Sequence, residues 1–237
     1  MQNITERQKE ILHSLVDEHI KFGVPISSDF LKSECCFDFS SATIRLELAE
    51  LTKNGFLVKT HFSGGRVPTD NGYRFFVDNL LAKERRKQVK LQKEIWEIFD
   101  VYDNLWQMLH YLAENLARLS CSLSLVGLEK MRFFWKEGWQ NLARSPEFED
   151  VGYLRSFLGL VDGFEQEIEK VHFNQDEKIK IFIGHESPFK IKEFSLILGQ
   201  GQIGKKTKQK TIFALLGPKR MDFQRNIYLM ESLIDLF

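Results

Sequence analysis

Apolar residues recur every three or four positions through the first fifty residues, the spacing of helices with one buried face. Ile11, Leu12, Leu15, Val16 and Ile20 form one such stripe, predicting a helix from Thr5 to about Phe22. Its start, Thr5-Glu-Arg-Gln8, has the form of a capping box, in which Thr5 caps the first turn and Gln8 reaches back. Gly23-Val-Pro25 ends it, and Ser27 or Ser28 caps a short second helix from Asp29 to about Cys35. After the loop Cys36–Phe39, Ser40 or Ser41 caps a third helix whose inward stripe is Ile44, Leu48 and Leu51. Gly55 supplies its left-handed stop.

The pattern then shortens. Phe56-Leu-Val-Lys-Thr-His-Phe62, the turn Ser63-Gly-Gly65 and Arg66-Val-Pro68 predict a β-hairpin. Paired glycines permit positive φ there, and Pro68 stops the ladder. A further helix runs from Tyr73 through Asp78-Asn-Leu-Leu81 into the basic run Lys83-Glu-Arg-Arg-Lys87, continuing past Lys90 and Lys93. That run reads either as a solvated connector or as a contact to phosphate.

Leu105, Leu109, Leu112 and Leu116 mark a helix over about Asn104–Leu119, and the segment from Glu94 is a candidate linker and helical pairing surface. Beyond it the period alternates. Cys121–Leu128, Met131–Lys136, Lys178–Gly184, Glu193–Gly199 and Thr211–Leu216 are strand-like, whereas Glu149–Val171 is mostly helical. Asp222–Phe237 predicts a terminal helix docked on the sheet. The expected class is α+β with an antiparallel sheet, divided into residues 1–80, a helical linker or dimerisation segment 81–119, and residues 120–237.

Three helices followed by a hairpin are the order of a winged helix-turn-helix, which places its third helix in the major groove of duplex DNA. The leading turn of that helix is small, hydroxyl-bearing and cationic, as the groove requires. Ser41, Thr43 and Arg45 are therefore candidates for base or adjacent phosphate contacts. Arg66, expected at the wing tip, would enter the minor groove or clamp phosphate, supported by Lys59, His61 and Ser63. Ser40, Lys53 and Arg74 complete the candidate DNA-binding set. Taken alone, the third helix also fits a plain amphipathic core helix with a solvated face.

Composition narrows the field. The chain has 237 residues, 43% hydrophobic and 28% charged, enough for two cores in a soluble globular protein. Its 21 phenylalanines point to ring-filled interiors. Lys+Arg and Asp+Glu are both 33, a balance that argues against a non-specific nucleic-acid coat but leaves room for local cationic surfaces. No apolar run approaches a membrane span, and the polar start is no signal peptide, so a cytoplasmic location is expected. Cys35, Cys36 and Cys121 suit a reducing compartment as buried or half-buried residues, and no spaced ligand set accompanies them.

Enzyme signatures fail on inspection. His185-Glu186 begins a zinc-protease string, but Phe189 stands where the second histidine belongs. Gly199-Gln-Gly201 and Gly204 lie between strand-like runs and precede Lys205-Lys-Thr-Lys208, which is a basic hairpin turn rather than a phosphate loop. Neither catalysis nor a cofactor or metal is expected.

Several strings together resemble the HrcA family of heat-inducible bacterial transcription repressors. They are Thr5-Glu-Arg-Gln8 with an Ile-Leu pair, Ser40-Ser-Ala-Thr-Ile-Arg45, His61-Phe-Ser63, Gly65-Arg66, Pro68-Thr69-Asp70 and Gly72-Tyr73-Arg74. Gly138-Trp-Gln-Asn-Leu142, Pro146-Glu-Phe148, Ile183-Gly-His-Glu186 and Gly217-Pro-Lys-Arg-Met221 extend the likeness to the second half. The chain departs from it at Leu46 (usually Asn), Thr60 (Pro), Gly64 (Ala) and Phe223 (Tyr), and is a short variant with a reduced mid-chain insertion. The resemblance implies a GAF-like C-terminal domain and repression of chaperone and chaperonin genes. It also implies a homodimer on an inverted-repeat operator and modulation by the chaperonin. A ligand-responsive regulator sensing a small molecule through the GAF-like domain is the alternative, and structured RNA a weaker target.

Overall fold

A computed structural model describes residues 4–60, 64–82, 104–131, 133–174, 177–189, 192–204 and 208–236. The chain divides into two compact units, Met1–Glu84 and Arg85–Phe237.

In the first unit, α1 (Glu6–Phe22) opens as the capping box requires. The Thr5 hydroxyl accepts from the Gln8 amide at 3.2 Å and the Gln8 side chain accepts from the Thr5 amide at 3.0 Å. Gly23 closes the helix at φ +69°. Ser27, rather than Ser28, caps α2 (Ser28–Glu34), and Ser40 caps α3 (Ser41–Lys53), after which Gly55 takes φ +78°. Strands β1 (Leu57–Lys59) and β2 (Arg66–Pro68) pair antiparallel, with Lys59 opposite Arg66, and α4 (Asp70–Ala82) follows. Ile11, Leu12, Leu15, Val16, Leu31, Ile44, Leu48, Leu51, Phe76 and Val77 are buried together as the core of these helices. Full burial of each such side chain contributes about 1.5–3 kcal/mol.

The hairpin is anchored by a contact that periodicity does not reveal. Ile26 and Arg66 exchange both backbone hydrogen bonds, each 2.9 Å, so the segment before α2 adds a bridge to β2. Only Gly64 of the expected glycine pair has positive φ; Gly65 is required because a Cβ there would lie 2.9 Å from the Pro25 backbone.

The second unit is built on one antiparallel sheet. Its strands are β3 (Leu123–Leu128), β4 (Phe133–Glu137), β5 (Ile179–Ile183), β6 (Phe194–Ile203) and β7 (Gln209–Pro218), in the order β4-β3-β7-β6-β5. Helix α5 (Leu105–Ser120) precedes β3. The short α6 (Trp139–Leu142), then α7 (Val151–Asp162) and α8 (Phe164–Glu167), lie between β4 and β5, and α9 (Phe223–Ile234) ends the unit. Strand alternation sends Leu123, Leu125, Phe194, Leu196, Leu198, Ile212, Ala214 and Leu216 to one face. There they meet Phe157, Val161, Phe164 and Phe189 in a ring-rich cluster. Edge-to-face and stacked pairs order it, including Phe157–Phe194 at 5.1 Å and Phe164–Phe189 at 5.6 Å between centroids. Helices α5 and α9 pack against the sheet, and α9 so closely that a Cβ on Gly199 would lie 2.6 Å from the Met230 sulfur.

Two expectations are corrected here. The leucine stripe read as a pairing surface within 81–119 is already occupied, because Leu109, Leu112 and Leu116 are buried and α5 packs on β3 and β4 of its own unit. Helix α5 thus belongs to the sheet unit, not to a separate linker. Cys36 and Cys121 are exposed rather than buried, each at a left-handed turn (φ +49° and +53°), and only Cys35 is half-buried. The basic run over 83–93 lies outside the described residues.

Candidate nucleic-acid interface

Burial of Ile44, Leu48 and Leu51 decides what the rest of α3 presents. With that stripe turned inward, Ala42, Arg45, Leu46, Ala49 and Lys53 are exposed, Arg45 with 64% of its side chain and Leu46 at 71%. The leading turn is organised by its hydroxyls. Ser40 Oγ accepts from the Thr43 amide at 3.1 Å and lies 3.0 Å from Thr43 Oγ1. Ser41 Oγ donates to Asp29 Oδ1 in the first turn of α2, and the same oxygen stands 3.9 Å from the Arg45 guanidinium. The start of α3 is thus a cluster of Ser40, Ser41, Thr43 and Arg45, with one carboxylate laid against it. A helix N-terminus adds partial positive charge, so the surface suits an anion apart from Asp29.

Arg66 is placed differently from its expected position at the wing tip. It is the first residue of β2, its backbone is held by Ile26, and its side chain turns back to α3, where Nε donates to Thr52 Oγ1 at 3.1 Å. The reason is the Ile26 bridge, which draws the start of β2 towards the helices. Burial, and after it the charge of Arg45, lowers the proton affinity of this guanidinium. It remains charged at neutral pH, as arginine does. Thr52, which holds Arg66, lies seven positions after Arg45, two helical turns on, so the Arg66 guanidinium is held on the Arg45 side of α3.

The remaining candidates are scattered. Lys53 is exposed at the other end of α3, and Lys59 is exposed at the end of β1. Arg74 lies on α4 and pairs with Asp78 one turn on, at 3.5 Å. His61 and Ser63 lie outside the described residues. Sequence reasoning missed Asp29 and Thr52. Neither carries a local signal, because each gains its role from a side chain brought close by tertiary folding.

The second-half strings have inward roles. Gly138 takes φ +97°, and a Cβ there would sit 2.4 Å from the Ser122 carbonyl oxygen. The buried Asn141 amide donates to the Ala117 and Ser122 carbonyls at 2.9 and 3.0 Å, tying α6 to the end of α5 and the start of β3. Arg220 grips Glu147 with two hydrogen bonds, one of them 3.0 Å from Nη2 to Oε2. Burial raises the Tyr153 hydroxyl far above its ordinary range, and that hydroxyl donates to the Glu193 carbonyl at 3.1 Å. In Ile183-Gly-His-Glu186 the Glu186 carboxylate accepts from the Ile183 amide at 3.2 Å, closing a tight turn after β5. Among the described residues no group of three or more His, Cys, Asp or Glu is arranged to hold a metal, and no helix is long and apolar enough to cross a membrane.

Comparison with known proteins adds the following. Residues 74–227 match the family model described as the HrcA protein C terminal domain. The chain is 26% identical to the heat-inducible transcription repressor HrcA of Oceanobacillus iheyensis over 332 aligned positions, covering 98% of this chain and 96% of that one. Since the chain has 237 residues, many positions of that relative have no counterpart here. The repressor of the same name from Fructilactobacillus sanfranciscensis is 33% identical over 164 residues, 69% of this chain and 45% of the relative. A crystal structure at 2.2 Å of a hypothetical protein shares the fold, with a TM-score of 0.78 at 18% identity over 99% of this chain and 97% of that one.

Proposed function

We propose, starting from the fact that this chain belongs to the HrcA family, that it is a transcriptional repressor of heat-shock genes whose first unit reads duplex DNA. In this reading residues 1–80 form a winged helix-turn-helix, with α3 entering the major groove and the β1–β2 hairpin as the wing. The second unit is GAF-like. The observation that carries the reading is the outward face of α3, where Arg45 and Leu46 are exposed beside the hydroxyls of Ser40, Ser41 and Thr43.

Each residue type has a task there. Arg45 can make a bidentate contact with a guanine edge or a phosphate. Leu46 offers an apolar contact suited to a thymine methyl. Ser41 and Thr43 donate or accept near the backbone, and Lys53, Lys59 and Arg74 neutralise more distant phosphates. Two copies would place their α3 helices about one helical turn apart, or a multiple of it, on an inverted repeat. The chaperonin modulates this binding, and the cytoplasm is the setting. The protein performs no catalysis.

Footprinting on promoter regions of chaperone genes tests partner class and site symmetry together. Protection of an inverted repeat is expected, and its absence at low and moderate salt would remove the DNA-binding role. Adding chaperonin is expected to strengthen protection; insensitivity to it would strike out that partner. A ligand-responsive regulator would instead show a melting temperature raised by a small molecule.

A further inference from the structure

Thr52 stands in the last turn of α3, away from its exposed leading turn. Its hydrogen-bonding is nevertheless fully specified. Thr52 Oγ1 lies 2.7 Å from the Leu48 carbonyl oxygen, to which only the hydroxyl can donate. A guanidinium has no acceptor, so at the 3.1 Å contact Arg66 Nε donates and Thr52 accepts. The hydroxyl is thus a fixed relay from the α3 backbone to the wing arginine. The other end of Arg66 is fixed too, by both of its backbone bonds to Ile26 and by its register with Lys59. With Nε committed, the two terminal nitrogens remain, and among the described residues no carboxylate forms an ion pair with them.

Arg45 lies on the same side of α3 as Thr52, two turns before it, and so on the side where Arg66 is held. Among the described residues its carboxylate contact, with Asp29, is long and exposed. Two cations on one side of a helix without a shared counter-ion repel each other. An oxyanion set between them converts that repulsion into two charge-assisted attractions. A guanidinium anchored at Nε still presents its terminal edge for a planar contact with phosphate oxygens.

We infer that Arg45 and Arg66 together seat a single backbone phosphate beside the α3 contact, and that Thr52 is the positioning residue that holds Arg66 in that seat. The inference deepens the DNA-binding reading and rests on it. It assigns Arg66 to phosphate rather than to the minor groove, and it makes helix and wing one rigid reading surface instead of two independent ones.

The test is a double-mutant cycle in the full chain on a promoter duplex protected in footprinting, with affinity measured across a salt series. Thr52→Val keeps the β-branched shape and removes the relay. It is expected to weaken binding about tenfold, the scale of a hydrogen bond to a charged group. It should also lower the salt slope by about one phosphate contact. Thr52→Ser should restore both. In an Arg66→Ala background Thr52→Val should cost nothing further, and a duplex carrying a neutral methylphosphonate at the seated phosphate should reproduce the Arg66→Ala loss. Thr52→Val that weakens binding equally with and without Arg66, or that leaves the salt slope unchanged, overturns the inference while leaving DNA binding intact. No binding by the unsubstituted chain overturns the underlying reading instead. Circular dichroism melting of each variant separates loss of fold from loss of contact.

Discussion

Ser40-Ser-Ala-Thr-Ile-Arg45 in the first unit and Gly138-Trp-Gln-Asn-Leu142 in the second both resemble strings of one family, yet they face opposite ways. In the first, only Ile44 is buried, and Arg45 projects from the surface. In the second, Asn141 and Leu142 are buried, and the amide is consumed by two carbonyls of neighbouring elements. Pro146-Glu-Phe148 and Gly217-Pro-Lys-Arg-Met221 behave as the second string does, since Glu147 and Arg220 clasp each other across the unit. A recurring string can therefore mark a surface kept for a partner or a fastener kept for the fold. What separates the two is whether its polar side chains stay at the surface, as Ser40 and Arg45 do, or are buried and spent on backbone carbonyls of other elements, as Asn141 is.

The contrast can be broken most forcefully at the ring cluster. Phe157 is fully buried between Phe148 and Phe194, so Phe157→Ala should lower unfolding free energy by about 3–5 kcal/mol in urea titrations. A loss below about 1 kcal/mol would mean that the rings are not the cohesive element of the second unit. Next comes Asn141→Ala, which strips the donor from two buried carbonyls and should cost about 2–3 kcal/mol while leaving DNA affinity at 25 °C unchanged. Normal stability with lost DNA binding would erase the distinction between fastener and surface.

Arg45→Ala should give the reverse phenotype. Its side chain is mostly exposed, so stability should move by no more than about 0.5 kcal/mol. Binding to the promoter duplex should weaken by about 1–3 kcal/mol, to a similar extent across base variants of the site, as loss of a phosphate contact requires. Relaxed preference among those variants would make Arg45 a base contact instead and leave Arg66 alone with the phosphate.

The same contrast governs how far the residues could be read in advance. Thr5, Gln8, Ser40 and Gly55 act on neighbours within a few positions, so capping chemistry located α1 and α3 nearly to the residue. The α5 leucines were equally legible as a buried stripe, but not what buries them, because periodicity cannot tell a second copy from the chain's own sheet. Arg66 was recognisable as a wing cation and not as a side chain folded onto α3. Its position depends on the bridge to Ile26, forty residues earlier in the chain. Gly65 looked like a turn residue and is instead a contact point for Pro25. Asp29 shows the limit best, since nothing near it in sequence announces that it will lie beside Ser41 and Arg45.

That carboxylate yields the smallest expected effect and the finest test of the exposed surface. Asp29 accepts the Ser41 hydroxyl and lies 3.9 Å from Arg45, yet 74% of its side chain is exposed, so the ion pair adds little to folding. Its influence should fall on DNA instead. Any duplex brought to α3 sets phosphates near a fixed negative charge, a penalty that does not depend on base sequence. A cognate site can offset that penalty by giving Arg45 a better partner than Asp29, or by offering the carboxylate a cytosine amino group. A random duplex does neither. Asp29→Asn keeps an acceptor for Ser41 while removing the charge. It should raise affinity for random duplex about two- to threefold, roughly 0.5 kcal/mol, and narrow the ratio of specific to non-specific binding by a similar factor. Competition titrations at a single salt concentration read that ratio directly. An unchanged ratio would show that the carboxylate is only a solvated first-turn residue of α2 and takes no part in discrimination at this surface.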